Sequence, residues 1–201
     1  MASEDGYQNI ELISQVKEKA VDKLQDLIPL VRETELDLVD SWEFNSNEFK
    51  QAPESITENL QSIVKFLKGY EGLCIYRYTL LSEGEDKKLF RRFVKYKAKQ
   101  KILKKGPQRG KFYNVSRPNI NQGPYLYVGS KIKNHDTRFR QHLGIMGRTV
   151  YSMYMANWIP KDIEIRFELF AVRSENREVL VQLEQALWDI SKPMLGKQSS
   201  H

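Results

Sequence analysis

The feature that most constrains the fold is the segment IEIRFELFAV at residues 163–172, in which apolar and charged residues alternate. A period of two places successive side chains on opposite faces of a β-strand. The apolar set, predicted to face a core, is Ile163, Ile165, Phe167 and Leu169, and the charged set, predicted to face outward, is Glu164, Arg166 and Glu168. The chain is therefore expected to build a sheet with at least one buried face.

Two other segments have the composition of strands, GLCIYRYTLL at residues 72–81 and YLYVG at residues 125–129. On the first, Cys74, Tyr76 and Tyr78 would share one face, because alternate residues of a strand point the same way. Tyr125 and Tyr127 would likewise point together on the second strand. Residues 150–158 are ambiguous, and residues 32–54 are acidic and predicted to be irregular.

Apolar residues at helical spacing predict helices at residues 9–31, after a capping box at residues 55–58, and near the C-terminus. The stripe of the last helix comprises Leu180, Leu183, Leu187 and Ile190. Phe90, Val94, Ala98 and Ile102 favour a further helix in the basic stretch, although alternating lysines there would also suit a strand. Asp136 is predicted to cap a short helix with Phe139 and Leu143 buried.

This order of elements predicts an α/β (α+β) fold, a small antiparallel three-stranded sheet flanked by helices. Residues 1–70 would form an N-terminal helical arm. Residues 71–201 would form the main domain, with a basic insertion at about residues 84–123.

The composition excludes several classes of protein. Cys74 is the only cysteine, so an intrachain disulfide and a cysteine-based zinc cage are both excluded. No apolar run approaches the roughly 18 residues of a membrane helix, and the N-terminus lacks the apolar region of a signal peptide. We therefore expect a protein without membrane association, in the cytoplasm of a bacterial or phage-infected cell.

The net charge of +6 is unevenly distributed. Residues 1–70 hold 7 Lys or Arg against 14 Asp or Glu, whereas the remainder holds 25 against 12. Residues 87–111 contain twelve basic and no acidic residues. This run could be a solvated helix face or a surface for a phosphate backbone. The predicted nucleic-acid contacts are Lys95, Lys97, Lys99, Lys101, Lys104, Lys105, Arg109 and Lys111, with Ser130 and Lys131 beyond the insertion.

A second cluster of polar residues follows the strand at residues 125–129. Tyr127 precedes a glycine turn, and Arg138 and His142 lie four residues apart, on one face of a helix. Arginine suits a phosphoryl group, and His142 or Tyr127 could take a proton from water. The simpler alternative is an exposed helical pair. Glu184 lies on the apolar stripe of the last helix, where a carboxylate needs a partner. That partner could be a divalent cation, or a salt bridge with Arg177 or a sheet residue.

Together these motifs resemble the GIY-YIG nuclease family. GLCIY corresponds to the family's first strand element, YVGS (residues 127–130) to its second, RFRQHL (residues 138–143) to its arginine helix and LEQALWDISKPMLG (residues 183–196) to its glutamate helix. The resemblance covers roughly residues 71–196. Two positions depart from the family pattern: Cys74 stands where the first tyrosine is expected, with Tyr76 two residues later on the same face, and Gly196 replaces an asparagine.

The resemblance implies Mg²⁺-dependent (or Mn²⁺-dependent) hydrolysis of a phosphodiester. Glu184 would hold the metal, Arg138 would stabilise phosphoryl charge, and Tyr76, Tyr127 or His142 would orient or deprotonate water. The short chain with its insertion is most like the family's stand-alone type II restriction endonucleases, which cut double-stranded DNA, often as homodimers. Two alternatives stay open: a relative of this family with weakened or lost catalysis that still binds nucleic acid, and an unrelated RNA-binding protein with Phe112, Tyr113 and Tyr125 stacking on bases.

Overall fold

A four-stranded antiparallel sheet with the order β1-β4-β2-β3 lies at the centre of the computed structural model, which describes residues 4–49, 56–107, 109–120 and 123–197. The strands are β1 (Leu36–Asn45), β2 (Leu73–Leu80), β3 (Tyr125–Lys131) and β4 (Glu164–Val172). The helices are α1 (Glu4–Glu33), α2 (Glu58–Gly69), α3 (Asp86–Lys105), α4 (His135–Leu143) and α5 (Arg177–Ser191). A mixed helix and strand fold with an antiparallel sheet is therefore confirmed. The sheet has one strand more than predicted.

The extra strand is β1, which lies in the segment predicted to be irregular. That prediction was wrong, because exposed leucines and three acidic residues hide the alternation of this strand. Pairing with β4 stabilises it: Trp42 lies opposite Phe167, with their rings stacked at 5.6 Å, and Phe44 lies opposite Ile165. The segment expected as a helical arm therefore supplies a sheet strand. Its second helix, α2, buries Leu60 and other apolar residues in the core of that sheet.

The two faces of the sheet carry different layers. Cys74, Tyr76 and Tyr78 face a large aromatic core with α2 and α4, as the alternation predicted. On the other face, Ile75 packs with α5 and the C-terminal end of α1. Glu168 lies on this second face as predicted, but it is buried there, and its Oε2 accepts a hydrogen bond from Arg77 Nε at 2.8 Å.

The basic stretch forms helix α3, as favoured, but its buried face is not the predicted one. The predicted stripe contains Val94 and Ile102, whose exposed fractions are 40% and 72%. Leu89, Phe93 and Gln100 are buried instead. This side of α3 is covered because Phe93 packs edge-on against Trp158, with ring centres 4.9 Å apart, while Gln100 binds the segment after the helix.

Helix ends also differ from the sequence predictions. α4 begins at His135 with Asn134 at its N-cap, so the predicted cap at Asp136 was wrong. α2 is capped by Thr57, whose hydroxyl accepts from the Leu60 N–H; Ser55 lies outside the described residues. α1 continues through Pro29, and Ile190 is 78% exposed rather than part of the stripe of α5. Within the described part of the chain, no helix is long and apolar enough to span a membrane.

The burial of α3 leads to a test with a matched control. We expect Phe93→Ala to lower the free energy of unfolding by about 3–5 kcal/mol, because it opens a cavity beside Trp158. Val94→Ala, one residue further on the same helix, should change it by less than about 0.5 kcal/mol. Urea denaturation of both variants measures the difference. Equal effects would contradict the burial of Phe93.

Candidate active site

Gly129 allows two tyrosines to meet above the sheet. Gly129 pairs with Tyr76 across β2 and β3, and Tyr127 pairs with Tyr78. A Cβ atom at residue 129 would lie 2.6 Å from Tyr76 Oη and 2.8 Å from a ring carbon of Tyr127. Without that atom, the two rings stack with an interplanar angle of 10°. The glycine that was predicted to form a turn lies within β3 instead, where it provides room for the tyrosine pair.

Arg138 joins these tyrosines. Its Nε donates to Tyr76 Oη at 3.0 Å, and one terminal nitrogen donates to Tyr127 Oη at 3.2 Å. The other terminal nitrogen donates to the Tyr151 carbonyl at 2.9 Å and to Gln141 Oε1 at 3.4 Å. The predicted alternative, an exposed helical pair, is wrong, because Arg138 is half-buried and His142 on the same face is fully buried.

His142 lies beneath Tyr76 and is held from both sides. Its Nε2 lies 3.1 Å from Tyr76 Oη. Its Nδ1 accepts from the Met153 N–H at 3.4 Å and lies 3.1 Å from Ser152 Oγ. A ring nitrogen that accepts a backbone N–H carries no proton, so in the neutral ring the proton is on Nε2. His142 therefore donates to Tyr76, whose oxygen accepts from Arg138 as well.

Burial determines the protonation states in this cluster. It lowers the pKa of His142 well below its usual value, and the charge of Arg138 adds to the effect. Burial raises the pKa of both Tyr76 and Tyr127, against the opposing charge of Arg138. Burial alone would lower the pKa of Arg138, but the two tyrosine hydroxyls outweigh it and the pKa rises. At neutral pH the cluster thus holds a neutral imidazole, two phenols and one guanidinium cation.

Glu184 lies on α5, which packs against β3 from the other face of the sheet. Its Oε2 accepts a hydrogen bond from Ser130 Oγ at 2.6 Å. Its charge contributes to raising the pKa of Tyr127 and of Tyr76, so the carboxylate lies within electrostatic range of both hydroxyls. Among the ion pairs of the described residues, none involves Glu184, so the predicted salt bridge with Arg177 is not formed there.

Glu184 is the residue of this site that could hold a metal ion. In the described ranges, no group of three or more His, Cys, Asp or Glu side chains is placed to hold a metal ion. A hard divalent cation, however, is commonly held by one or two carboxylates completed by water and substrate phosphate. Glu184 is half-buried and accepts a hydrogen bond from the neutral hydroxyl of Ser130, so it fits a site of this kind, with one protein carboxylate.

The two departures from the family pattern have structural reasons. Cys74 is buried opposite Lys131, burial raises the pKa of its thiol to about 12, and Tyr76 makes the contacts with Arg138 and His142. Gly196 has a φ of +109°, and a Cβ there would lie 3.0 Å from the ring of Tyr127. An asparagine at residue 196 would be strained at this φ, and its Cβ would press against the tyrosine ring.

The predicted nucleic-acid residues divide into two groups. The exposed ones are Lys95, Lys99, Lys101, Lys104, Lys105 and Lys111. Lys97 serves the fold instead, because its Nζ donates to the carbonyls of Val115 and Ser116, both at 2.7 Å, and burial lowers its pKa. Ser130 contacts Glu184, Lys131 is half-buried, and the side chain of Arg109 lies outside the described part.

The segment at residues 151–153 contributes to the site but was not predicted from the sequence. The Tyr151 carbonyl binds Arg138, and Ser152 and Met153 bind His142. Two of these contacts use backbone atoms, which leave no residue-type signal in a sequence. Only the ambiguous pattern of residues 150–158 marked the segment as unusual.

Comparison of the chain with protein-family models, with curated proteins and with solved structures finds no match.

The buried histidines predict how stability depends on pH. Burial lowers the pKa of both His142 and His135, so the unfolded chain binds protons that the folded chain does not as pH falls below about 6.5. The free energy of unfolding should therefore decrease between pH 6.5 and 5, by up to about 1.4 kcal/mol per pH unit for each histidine. His142→Asn should reduce that slope, measured by urea denaturation at several pH values. An unchanged slope would contradict the neutral state of His142.

A second test concerns the close approach of Gly196 and Tyr127. Gly196→Asn should lower the free energy of unfolding by about 1–3 kcal/mol, because it combines a positive φ with a steric clash. Gly69→Ala is the matched control, since a Cβ atom at residue 69 meets nothing within 4 Å. Thermal or urea unfolding compares the two. If Gly196→Asn is as stable as the control, the tyrosine ring is not held where the structure has it.

Proposed function

We propose that this protein is a metal-dependent endonuclease of the GIY-YIG type that hydrolyses phosphodiester bonds in double-stranded DNA. The observation that carries the proposal is the hydrogen bonding of one half-buried guanidinium to both tyrosine hydroxyls, with a carboxylate in electrostatic range of them. Cation, phenols and carboxylate at one end of a strand are the groups that phosphodiester hydrolysis needs.

Arg138 is the group that meets the phosphate. Its guanidinium is held in place by four acceptors before any substrate arrives, so little reorganisation is needed at the moment of reaction. The positive charge would stabilise the negative charge that develops on the phosphoryl oxygens. Glu184 would hold a Mg²⁺ or Mn²⁺ ion, which supplies Lewis-acid stabilisation when bound.

The water-activating group is one of the two tyrosines. His142 is fully buried with both ring nitrogens engaged by protein atoms, so it meets no water and acts through Tyr76. Tyr76 Oη accepts hydrogen bonds from Arg138 and His142, which stabilise its phenolate and partly oppose the rise in pKa that burial causes. Tyr127 is the more exposed ring, with a single donor on its hydroxyl from Arg138.

The substrate class follows from charge. The exposed lysines of α3 provide a cationic surface that suits a phosphate backbone, and the remainder of the chain after residue 70 has a net charge of +13. A sequence-specific type II restriction endonuclease, acting as a homodimer, is the form of this activity that best suits a short chain with a basic insertion.

Cleavage of DNA by the purified protein tests the proposal. Incubation with unmethylated plasmid and phage DNA should give discrete fragments in Mg²⁺ or Mn²⁺ and none in EDTA. Glu184→Gln and Arg138→Lys should each lower the cleavage rate by about 10²-fold or more, because each removes charge stabilisation from the transition state. Glu178→Gln is the matched control, an exposed carboxylate in the first turn of the same helix.

A gel shift in EDTA tests the alternative, a protein that binds DNA without cutting it. Gly196 stands in place of an asparagine that the nuclease family uses, which favours a relative with weakened chemistry. DNA that is bound by the wild type but stays intact in every metal would establish that alternative. Cleavage that persists in Glu184→Gln would contradict the assigned metal ligand.

A further inference from the structure

A separate cavity lies between α3 and the segment that supports Arg138. Its volume is about 170 Å³. The residues that line it are Lys97, Gln100, Lys101, Lys104, Phe112, Tyr113, Asn114, Val115 and Tyr151. The cavity therefore combines three cationic side chains from the basic helix with three aromatic residues from outside it, and of the three lysines Lys97 is already bound to backbone carbonyls.

Hydrogen bonds hold the floor of this cavity in place. The Tyr113 N–H donates to Gln100 Oε1 at 2.9 Å, so a buried amide of α3 fixes the backbone beside the ring. Asn114 donates through its backbone to the Arg148 carbonyl at 2.9 Å and through its side chain to the Thr149 carbonyl at 2.6 Å. The walls are thus formed before any ligand binds, which lowers the entropic cost of binding.

The lining suits a nucleotide. Tyr151 is 63% exposed, an unusual state for a large aromatic side chain whose backbone is fixed by Arg138. Phe112 is half-buried, and the Lys104 ammonium lies 5.4 Å from the centre of its ring. Exposed aromatic faces bind unstacked nucleobases, and adjacent lysines bind the phosphates.

The cavity is connected to the candidate active site by one short segment. The carbonyl of Tyr151 accepts a hydrogen bond from Arg138 at 2.9 Å, while the side chain of the same residue lines the cavity. The next residue, Ser152, contacts His142. One short segment thus forms part of both the candidate active site and the cavity.

We propose that this cavity binds one unstacked base of the DNA strand that is cut, close to the scissile phosphate. The inference rests on the proposed function and adds to it a binding site for an extruded or unpaired nucleotide. Tyr151 and Phe112 stack on the base, and Lys101 and Lys104 bind the flanking phosphates. Extruding a base costs least where it is already unpaired, so DNA with an unpaired nucleotide is the preferred ligand.

The test compares two short fluorescein-labelled duplexes, one fully paired and one with a single unpaired adenine, by fluorescence anisotropy in EDTA. Wild-type protein should bind the second duplex about tenfold more tightly, as expected for stacking of one base on an aromatic ring. Tyr151→Ala should remove that preference, so that the two duplexes bind with equal affinity. Lys104→Gln should weaken binding of both duplexes and reduce the salt dependence.

Two control variants separate stacking from folding. Phe112→Tyr keeps an aromatic face and should keep the preference, whereas Phe112→Ala should lose it. Ile102→Ala removes an exposed apolar side chain from α3 and should leave the affinity for both duplexes unchanged. Equal binding of both duplexes by the wild type, or a preference that survives in Tyr151→Ala, overturns the inference. Tighter binding of single-stranded RNA than of either duplex also overturns it.

Cleavage in Mg²⁺, measured in parallel, distinguishes this inference from the proposed function. Cleavage without preference for the unpaired nucleotide overturns base binding in the cavity and supports the proposed nuclease activity. A Tyr151-dependent preference without cleavage supports the cavity as a base-binding site and overturns the proposed nuclease activity.

Discussion

The arrangement of this site depends on one half-buried cation, the guanidinium of Arg138. Removing such a charge from water is costly unless acceptors surround it. The protein supplies them from three parts of the chain: Tyr76 on β2, Tyr127 on β3 and the Tyr151 carbonyl. The last contact fixes a segment that has little regular structure of its own. Gly129 is a further requirement, because any side chain at that residue would displace the two tyrosines.

The same segment connects the site to the basic helix. Trp158 packs on Phe93, and Ser152 pairs with Val115, whose carbonyl accepts from Lys97. A lysine and a glutamine of α3 thus serve as internal supports, while the neighbouring lysines remain in solvent. The helix has two roles on two faces: its buried face supports the segment around residues 152–158, and its exposed lysines give the surface a positive field.

Several parts of this structure could be predicted from residue patterns. The alternation in residues 163–172 predicted β4 and its buried face, and the placement of Tyr76 on one face with Tyr78 was confirmed. The strand β1 could not be predicted, since its exposed leucines and acidic residues obey no clear period and its pairing partners are 119 to 136 residues away in sequence. The buried face of α3 was also not predicted. Lys97 and Gln100 face inward because they hydrogen-bond to the Val115 carbonyl and the Tyr113 N–H, and neither partner can be read from the helix itself.

The amino-acid sequence by itself determined the local features of the protein, which are the alternation of its strands, the apolar spacing of its helices and the charge of each segment. These are local properties, and a sequence records them directly. Only the tertiary structure decided that His142 is buried and neutral, that Gly196 adopts a positive φ beside the ring of Tyr127 and that Tyr151 joins a cavity to Arg138. Each of these depends on atoms from distant parts of the chain, often backbone atoms, and desolvation and steric contact exist only once those parts are packed together.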